Sequence, residues 1–186
     1  MNISKIAGAL ALALGAAFSA HATTTAVTQT EQWYQFAVDD FTAVSQGTEW
    51  IDLDNGSAQS FSFVLNSATY LRVVDAGYAG DRFNVSIDNG SGASILQTGA
   101  AVNSHPAQTG DYAAAWADSN YSRLATLLAP GTYTVTGSLL AAAGGGAPLN
   151  ATAGALMLTA VPEPESWALL VAGFALIGSI ARRRRA

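Results

Sequence analysis

The fold is predicted by residues 60–90, SFSFVLNSATYLRVVDAGYAGDRFNVSIDNG, where three short segments alternate between apolar and polar side chains. Apolar residues recur at every second position, as in Phe61, Phe63 and Leu65 of the first segment. A period of two, in segments rich in β-branched and aromatic residues, is typical of half-buried strands. Asp88-Asn89-Gly90 ends the stretch with a turn signal. The stretch therefore predicts three consecutive strands.

The same pattern continues on both sides of this stretch. GTYTVTG at residues 131–137 alternates in the same way after the turn signal Pro130-Gly131, and Asp54-Asn55-Gly56 is a turn signal before the first strand. Residues 121–128 and 155–160 are predicted to be further strands. Because no amphipathic helix separates these segments, we predict an all-β fold, an antiparallel β-sandwich that is jelly-roll-like.

Three stretches give weaker patterns. Residues 23–30 are polar and threonine-rich, and we expect a poorly ordered leader. Residues 141–154, AAAGGGAPLNATAG, are predicted to be a flexible glycine-rich loop. Residues 111–120 fit either a short helix or part of a strand pair. We expect the remainder of the domain to be one compact unit.

The first 22 residues have the three regions of a secretory signal peptide. Lys5 precedes an apolar run over residues 6–18, and Ala20-His21-Ala22 has the small-x-small pattern of a cleavage site. We therefore predict passage through the Sec export machinery and cleavage by signal peptidase before Thr23.

The last 26 residues, VPEPESWALLVAGFALIGSIARRRRA, form a second targeting signal. Residues 167–181 are uncharged and apolar, and as a helix they would be about 22 Å long, short of the roughly 30 Å hydrocarbon core of a bilayer. This predicts a transmembrane helix that spans marginally. The arginines that follow resist translocation and stay in the cytoplasm, which places the rest of the chain outside it: Arg182, Arg183, Arg184 and Arg185.

The order of these parts resembles the PEP-CTERM sorting signal of Gram-negative bacteria, a C-terminal segment that also carries an "ice-binding protein C-terminal" label. Pro162, Glu163 and Pro164 match its signature triplet, followed by the short helix and the arginine cluster. The resemblance implies an exosortase that recognises the triplet and removes the helix and arginines. The protein would then be in the inner membrane only transiently, and afterwards at the outer surface or outside the cell. Such proteins are associated with exopolysaccharide and biofilms.

The central block, residues 72–90, is similar to a segment that recurs in secreted PEP-CTERM and related β-sandwich proteins. In that segment an aspartate ends a strand and a GDRF-x-V-x-x-DNG hairpin follows. This resemblance supports the predicted fold. It implies no activity.

The predicted domain, residues 23–160, is acidic. It contains eleven acidic residues and three basic ones, a net charge of −8, and it has no cysteine and no lysine. No basic patch can be built from three arginines, which argues against nucleic acid and anionic lipid as partners. The fold also uses no disulfides.

Catalytic chemistry has few candidates in this domain. His105 is its single histidine and lies in a polar loop, and no nucleophile-elbow pattern is present. Two carboxyl groups suffice for glycoside hydrolysis, so the pairs Asp39/Asp40 and Asp52/Asp54 leave a secreted carbohydrate-active hydrolase as the alternative. Adjacent residues of a strand point to opposite faces, however, and such aspartates commonly cap turns. We predict no enzymatic activity and no catalytic residue.

A structural calcium ion is the one cofactor that the sequence suggests. Asp75, Asp81 and Asp88 cluster in the central block, and carboxylate oxygens are the ligands that calcium prefers. Turn formation explains the same aspartates without a metal.

Binding of extracellular polysaccharide would use exposed aromatic side chains. The candidates are five: Trp33, Trp50, Tyr78, Trp116 and Tyr121. We predict an exported, non-catalytic protein of the cell surface or extracellular matrix that associates with exopolysaccharide in biofilms.

Overall fold

The computed structural model describes residues 22–100, 108–143, 151–161 and 172–174. Within these ranges the chain forms ten strands and a short helix, α1. The elements are β1 Thr23–Ala26, β2 Trp33–Asp39, β3 Gln59–Leu65, β4 Thr69–Tyr78, β5 Arg82–Asp88, β6 Ala93–Gln97, β7 Gln108–Thr109, α1 Tyr112–Ala117, β8 Arg123–Leu128, β9 Gly131–Ala141 and β10 Ala151–Ala160.

The strands form two sheets. One sheet has the order β1-β3-β9-β5-β6, and the other has the order β2-β10-β4, with β8 and the two-residue β7 both pairing with β4. Every pairing of these strands is antiparallel except that of β1 with β3, which is parallel. The prediction of an all-β fold is confirmed, and the expectation of wholly antiparallel pairing is wrong at β1.

The two sheets bury a common core. Their inward positions are the alternating residues of the strands, and together they form one apolar cluster that includes Phe61 and Phe63 of β3, Leu71 and Val73 of β4, Phe83 and Val85 of β5, and Leu156 of β10. Alternation therefore works as predicted, since the polar residue between two inward ones faces outward.

Trp50 lies at the centre of this core. It is fully buried, and its ring stacks on Phe36 of β2 with centroids 3.8 Å apart and meets Phe61 and Phe83 edge-on. Two glycines make room for this stack. A Cβ atom on Gly137 would lie 2.2 Å from the Trp50 ring, and one on Gly154 would lie 2.4 Å from Phe36. Only glycine fits at these two positions.

Residues 48–51 connect the sheets along one side of the fold. Trp50 donates its amide to Gly137 of β9, while Ile51 exchanges hydrogen bonds with Ala37 at the edge of β2. The chain thus pairs with one sheet and then, one residue later, with the other. This connection fixes the spacing of the two sheets and keeps Trp50 between them.

Two local predictions differ from the structure, and an alternative left open by the sequence is resolved. Residues 23–26 are the strand β1 instead of a loose leader, because their threonines suit a strand and Thr23 and Thr24 bond to serine hydroxyls across the pair. Residues 151–154, expected in the glycine-rich loop, begin β10 between β2 and β4. Residues 111–120 resolve in favour of a helix, since Asp111 caps the amides of Ala113 and Ala114. The predicted strand at residues 121–128 is confirmed as β8.

Candidate functional site

The last strand leads directly into the predicted sorting signal. β10 ends at Ala160, which pairs with Thr69 of β4, and Val161 follows. The triplet Pro162-Glu163-Pro164 and the four terminal arginines lie outside the described residues, and only residues 172–174 of the predicted membrane helix are described, as helical. Among the described residues, no helix has the length and apolar character needed to cross a membrane.

The first strand begins at the residue that the predicted signal-peptide cleavage would expose. Thr23 donates its amide to the carbonyl of Ala58 at 2.8 Å, and its hydroxyl lies 2.7 Å from that of Ser57. Ala20 and the rest of residues 1–21 lie outside the described ranges, so cleavage after Ala22 stays a prediction. Among the described residues, β1 pairs with β3, and Thr23 also bonds to Ser57 and Ala58.

Two of the predicted calcium ligands meet in the interior, where β4 turns into β5. Asp75 is fully buried, and its Oδ2 accepts hydrogen bonds from the amides of Gly80 at 2.9 Å and Asp81 at 3.1 Å. The buried carboxyl group of Asp81 accepts a hydrogen bond from the amide of Ala143, just beyond β9. The pair therefore ties the turn between β4 and β5, residues 79–81, to the segment that follows β9.

Burial changes the protonation of this pair. It raises the pKa of Asp75 to about 8, and the nearby carboxyl group of Asp81 adds to the increase. Burial also raises the pKa of Asp81, opposed by hydrogen bonds from Thr152 and Ala143. Asp75 Oδ1 has no hydrogen-bond partner within the described part of the chain. Burial thus favours the protonated form of Asp75, and a calcium ion would have to displace its proton.

Asp88, the third predicted calcium ligand, lies far from the other two. It is the exposed last residue of β5, and its Oδ1 accepts a hydrogen bond from the amide of Gly90 at 2.8 Å. At about 3.3 Å per residue, a strand of this length separates Asp88 from Asp81 by about 20 Å. In the ranges described, no three acidic, histidine or cysteine residues come together to hold a metal. The structure does not assemble the predicted calcium site, because its members serve two separate turns.

A groove of about 310 Å³ runs beside the outer edge of β2. Its lining includes core side chains with almost no exposed surface, Phe36, Ile51 and Phe61. It also includes an indole, two carboxamides, two carboxyl groups and a hydroxyl, belonging to Trp33, Gln35, Gln59, Asp52, Asp54 and Thr25. The groove thus combines apolar and polar residues, as small-ligand sites commonly do.

The four aspartates considered for catalysis are divided between this groove and a turn. Asp52 and Asp54 both line the groove, but Asp52 Oδ1 accepts a hydrogen bond from the amide of Asp54 at 2.8 Å and so also shapes the turn. Asp39 accepts hydrogen bonds from the hydroxyl and amide of Thr42 and from the amide of Phe41, and these bonds lower its pKa. Neither Asp39 nor its neighbour Asp40 is among the residues that line the groove.

The five aromatic candidates also separate by burial. Trp50 and Tyr121 are buried, so the prediction that they are available to a ligand is wrong. Tyr78 is exposed at the end of β4. Trp33 and Trp116 are half-buried on the outer face of the second sheet, where their ring centroids lie 6.1 Å apart and Arg72 lies over Trp116. Of the five, Trp33 alone lines the groove.

The groove also contains residues that the sequence does not single out. Gln35 and Gln59 are polar residues within strands, and nothing in their spacing marks them. Gln59 donates its Nε2 to Thr25 at 3.3 Å, and this bond depends on the pairing of β1 with β3, which the sequence does not predict. A prediction that β1 and β2 are both edges of their sheets would identify Gln35 and Gln59 as candidates.

A family model for the PEP-CTERM protein-sorting motif matches residues 160–185. No curated protein sequence matches the chain. Among solved structures, the pre-peptidase C-terminal domain of a collagenase from Bacillus anthracis is similar, with a TM-score of 0.40 and 9% identity over 75% of this chain and 97% of that one.

The family match begins at the last residue of β10 and covers the triplet, the apolar run and all four arginines of the cluster. A motif of this kind implies an exosortase as processing partner and export to the cell envelope. The chain therefore carries the PEP-CTERM protein-sorting motif, attached without a linker to an all-β domain.

Proposed function

We propose that this chain is an exported surface or extracellular-matrix protein, released by an exosortase from a transient stay in the inner membrane, whose jelly-roll-like β-sandwich is non-catalytic and associates with exopolysaccharide in biofilms. The observation that carries the proposal is the match to the sorting motif at residues 160–185, beginning where the domain ends.

The position of the motif suits removal of the tail. β10 pairs with β2 on one side and with β4 on the other, and these pairings end at Ala160. A cut in or beyond the Pro162-Glu163-Pro164 triplet would therefore leave every strand pairing intact. Before the cut, the absence of a linker would hold the domain against the membrane surface.

At the other end, export by the Sec machinery and cleavage by signal peptidase would free Thr23. Its backbone amide then lies at the Ala58 carbonyl, so the new amino terminus can keep this contact. The mature domain would fold only after leaving the cytoplasm, in agreement with the orientation predicted from the arginines.

A non-catalytic role is favoured by how the described carboxyl groups are used. Asp39 and Asp52 shape turns through backbone amides, and Asp75 is buried with no access to solvent. An inverting or retaining glycosidase needs two opposed carboxyl groups, one of them with a raised pKa, in the same cleft. Asp75, whose pKa is raised to about 8, does not line the groove that contains Asp52 and Asp54.

The charge of the domain favours association with polysaccharide over association with other extended polymers. The net charge of −8 over residues 23–160 repels nucleic acid and anionic lipid. An uncharged polymer is not repelled, and residues 23–160, with three arginines and no lysine, cannot form a basic patch that binds anions.

The test is replacement of Pro162, Glu163 and Pro164 together by alanine, with E165A/S166A as the matched control just outside the triplet. We expect the control to be released from cells that contain the exosortase, and the triple variant to stay uncleaved in the inner membrane. Membrane fractionation and intact mass measure both. Normal release of the triple variant would contradict sorting by the motif.

A further inference from the structure

We infer that the groove beside β2 is the saccharide-binding site of this protein and that it takes a neutral sugar chain, with Trp33 as the stacking platform. This inference rests on the proposed association with polysaccharide and adds to it a location and a ligand class. It is carried by the edge of β2, by an unpaired amide oxygen and by the charge of the groove.

The first observation is a sheet edge that opens into the groove. Ala37 directs its N–H and C=O away from β10, where they bond with Ile51. Because backbone groups alternate in direction along a strand, Gln35 and Trp33 direct theirs to the same side. Among the described residues, the bridge to Ile51 is the sole pairing on that edge of β2. The backbone N–H and C=O groups of Trp33 and Gln35 therefore face the groove.

The second observation is a polar atom in the wall of the groove that lacks a partner. Gln59 Oε1 is buried and accepts no hydrogen bond within the described ranges, while Nε2 of the same side chain donates to Thr25. An unpaired buried acceptor costs about 1–3 kcal/mol. Gln59 lines the groove, and a turn of its carboxamide would bring Oε1 to a sugar hydroxyl, whose hydrogen bond would remove this cost on binding.

Trp33 supplies an apolar surface that is already held in position. Its ring is half-buried and contacts the rings of Tyr112 and Trp116, with centroid distances of 6.2 and 6.1 Å. The hydroxyl of Tyr112 donates to Gln35 at 3.3 Å, which links α1 to the same edge of the groove. An indole fixed in this way loses little conformational entropy on binding, and its face suits the apolar face of a sugar ring.

The charge and the size of the groove restrict the class of ligand that it can bind. The groove is lined by Asp52 and Asp54 and by no basic residue, so uronates and sulfated sugars are repelled. Arg72 and Arg123, two of the three arginines of the domain, lie near Trp116 and do not line the groove. A volume of about 310 Å³ is at the small end of ligand pockets, which suits one or two rings of a chain. An extended peptide is disfavoured, because Ile51 ends the open edge after two residues.

The experiment is calorimetric titration of the protein recovered from producing cells with cellohexaose, xylohexaose and chitohexaose, and with hexagalacturonate as the acidic comparison. We expect binding to at least one neutral oligosaccharide and none to hexagalacturonate. In W33A the affinity should fall about tenfold or more, since a stacking platform is lost. Y70A is the matched control, because Tyr70 is an exposed aromatic residue on β4 that does not line the groove, and its affinity should stay within about twofold of the parent.

Gln59→Ala provides an independent readout on a side chain that does not stack. It should weaken binding about threefold to tenfold through the lost acceptor, with a circular dichroism spectrum like that of the parent.

Failure to bind any of the neutral oligosaccharides would overturn the inference, as would binding of hexagalacturonate alone. If a neutral oligosaccharide still binds to both W33A and Q59A, the assignment of the binding site to the groove is overturned. In each of these cases the tail would still be removed normally, so the sorting function would stand while the site assignment fails. If association with matrix polysaccharide itself is absent but the oligosaccharides bind through Trp33, the proposed function fails and the site stands.

Discussion

The centre of the sandwich and the groove at its side use the same residue types for opposite purposes. Each has a tryptophan and a pair of aspartates next to glycine-containing turns. At the centre Trp50 and Asp75 are fully buried, whereas Trp33 and Asp54 are accessible beside β2. Burial, and not residue type, decides which set maintains the fold and which set is available to a ligand. The predictions below test this division.

The largest difference is expected between the two tryptophans. W50A removes the ring that joins both sheets and should lower the free energy of unfolding by about 3–5 kcal/mol. W33A removes a half-buried ring that contacts Tyr112 and Trp116 at a sheet edge, and should cost less than W50A, about 1–3 kcal/mol. Urea denaturation of both variants measures the difference. Equal losses would mean that Trp33 is part of the core and is not a platform for ligands.

A smaller difference is expected between the two aspartate pairs. D75A leaves the amides of Gly80 and Asp81 without their acceptor in a buried site, which should cost about 2–3 kcal/mol. D54A, at an exposed turn position, should change stability by less than about 0.5 kcal/mol. Thermal unfolding of the two variants is the measurement. A D75A variant as stable as the parent would show that the turn does not depend on Asp75.

Stability should also depend on pH through Asp75. Its pKa is raised to about 8 in the folded state, from an ordinary value near 4, so the folded state binds more protons than the unfolded state between these values. The free energy of unfolding should therefore fall as pH rises through this window, by on the order of 1 kcal/mol per pH unit, and should level off above it. The raised pKa of Asp81 acts in the same direction.

Denaturation between pH 4.5 and 8.5 tests this dependence, with D75N as the comparison. D75N cannot lose its proton and should remove most of the slope. The same slope in D75N would assign the effect to other groups.

Substitution of a glycine next to the ring stack of Phe36 and Trp50 tests how tightly the core is packed. G154A places a methyl group against Phe36 and should cost about 1–3 kcal/mol through overpacking. G110A is the matched control within the domain, because an added Cβ would meet nothing within 4 Å there, and it should leave the stability unchanged. Equal stability of G154A and the parent would show that the ring stack of Phe36 and Trp50 can shift.

The sequence predicts the strands of this protein better than its site. Alternation places Phe61, Val73 and Val85 in the core because a half-buried strand has a period of two, and the turn at Asp88 follows from local chemistry. Pairing between distant segments leaves no such local signal. The parallel pairing of β1 and the double contact of residues 48–51 bring Gln59, Asp52 and Trp33 to one groove, and neither can be deduced from spacing.

The aspartates of the central block also show what local sequence cannot predict. Asp75 and Asp81 do come together as their proximity in sequence suggests, but the chemistry assigned to them depends on burial, which local sequence does not report. Asp88 belongs to the same block and is separated from them by the length of a strand. The tail is different, because its parts act as linear motifs and can be recognised without knowledge of the fold.

The central claim is that the domain is exported and released from its tail, and the most direct measurement is the intact mass of the native protein recovered from the cell surface or medium, with mapping of both terminal peptides. The account predicts a chain that begins at Thr23 and ends in or just after the Pro162-Glu163-Pro164 triplet. A protein that retains Trp167 and the four terminal arginines, Arg182 to Arg185, would contradict it and would make the chain a permanently anchored membrane protein.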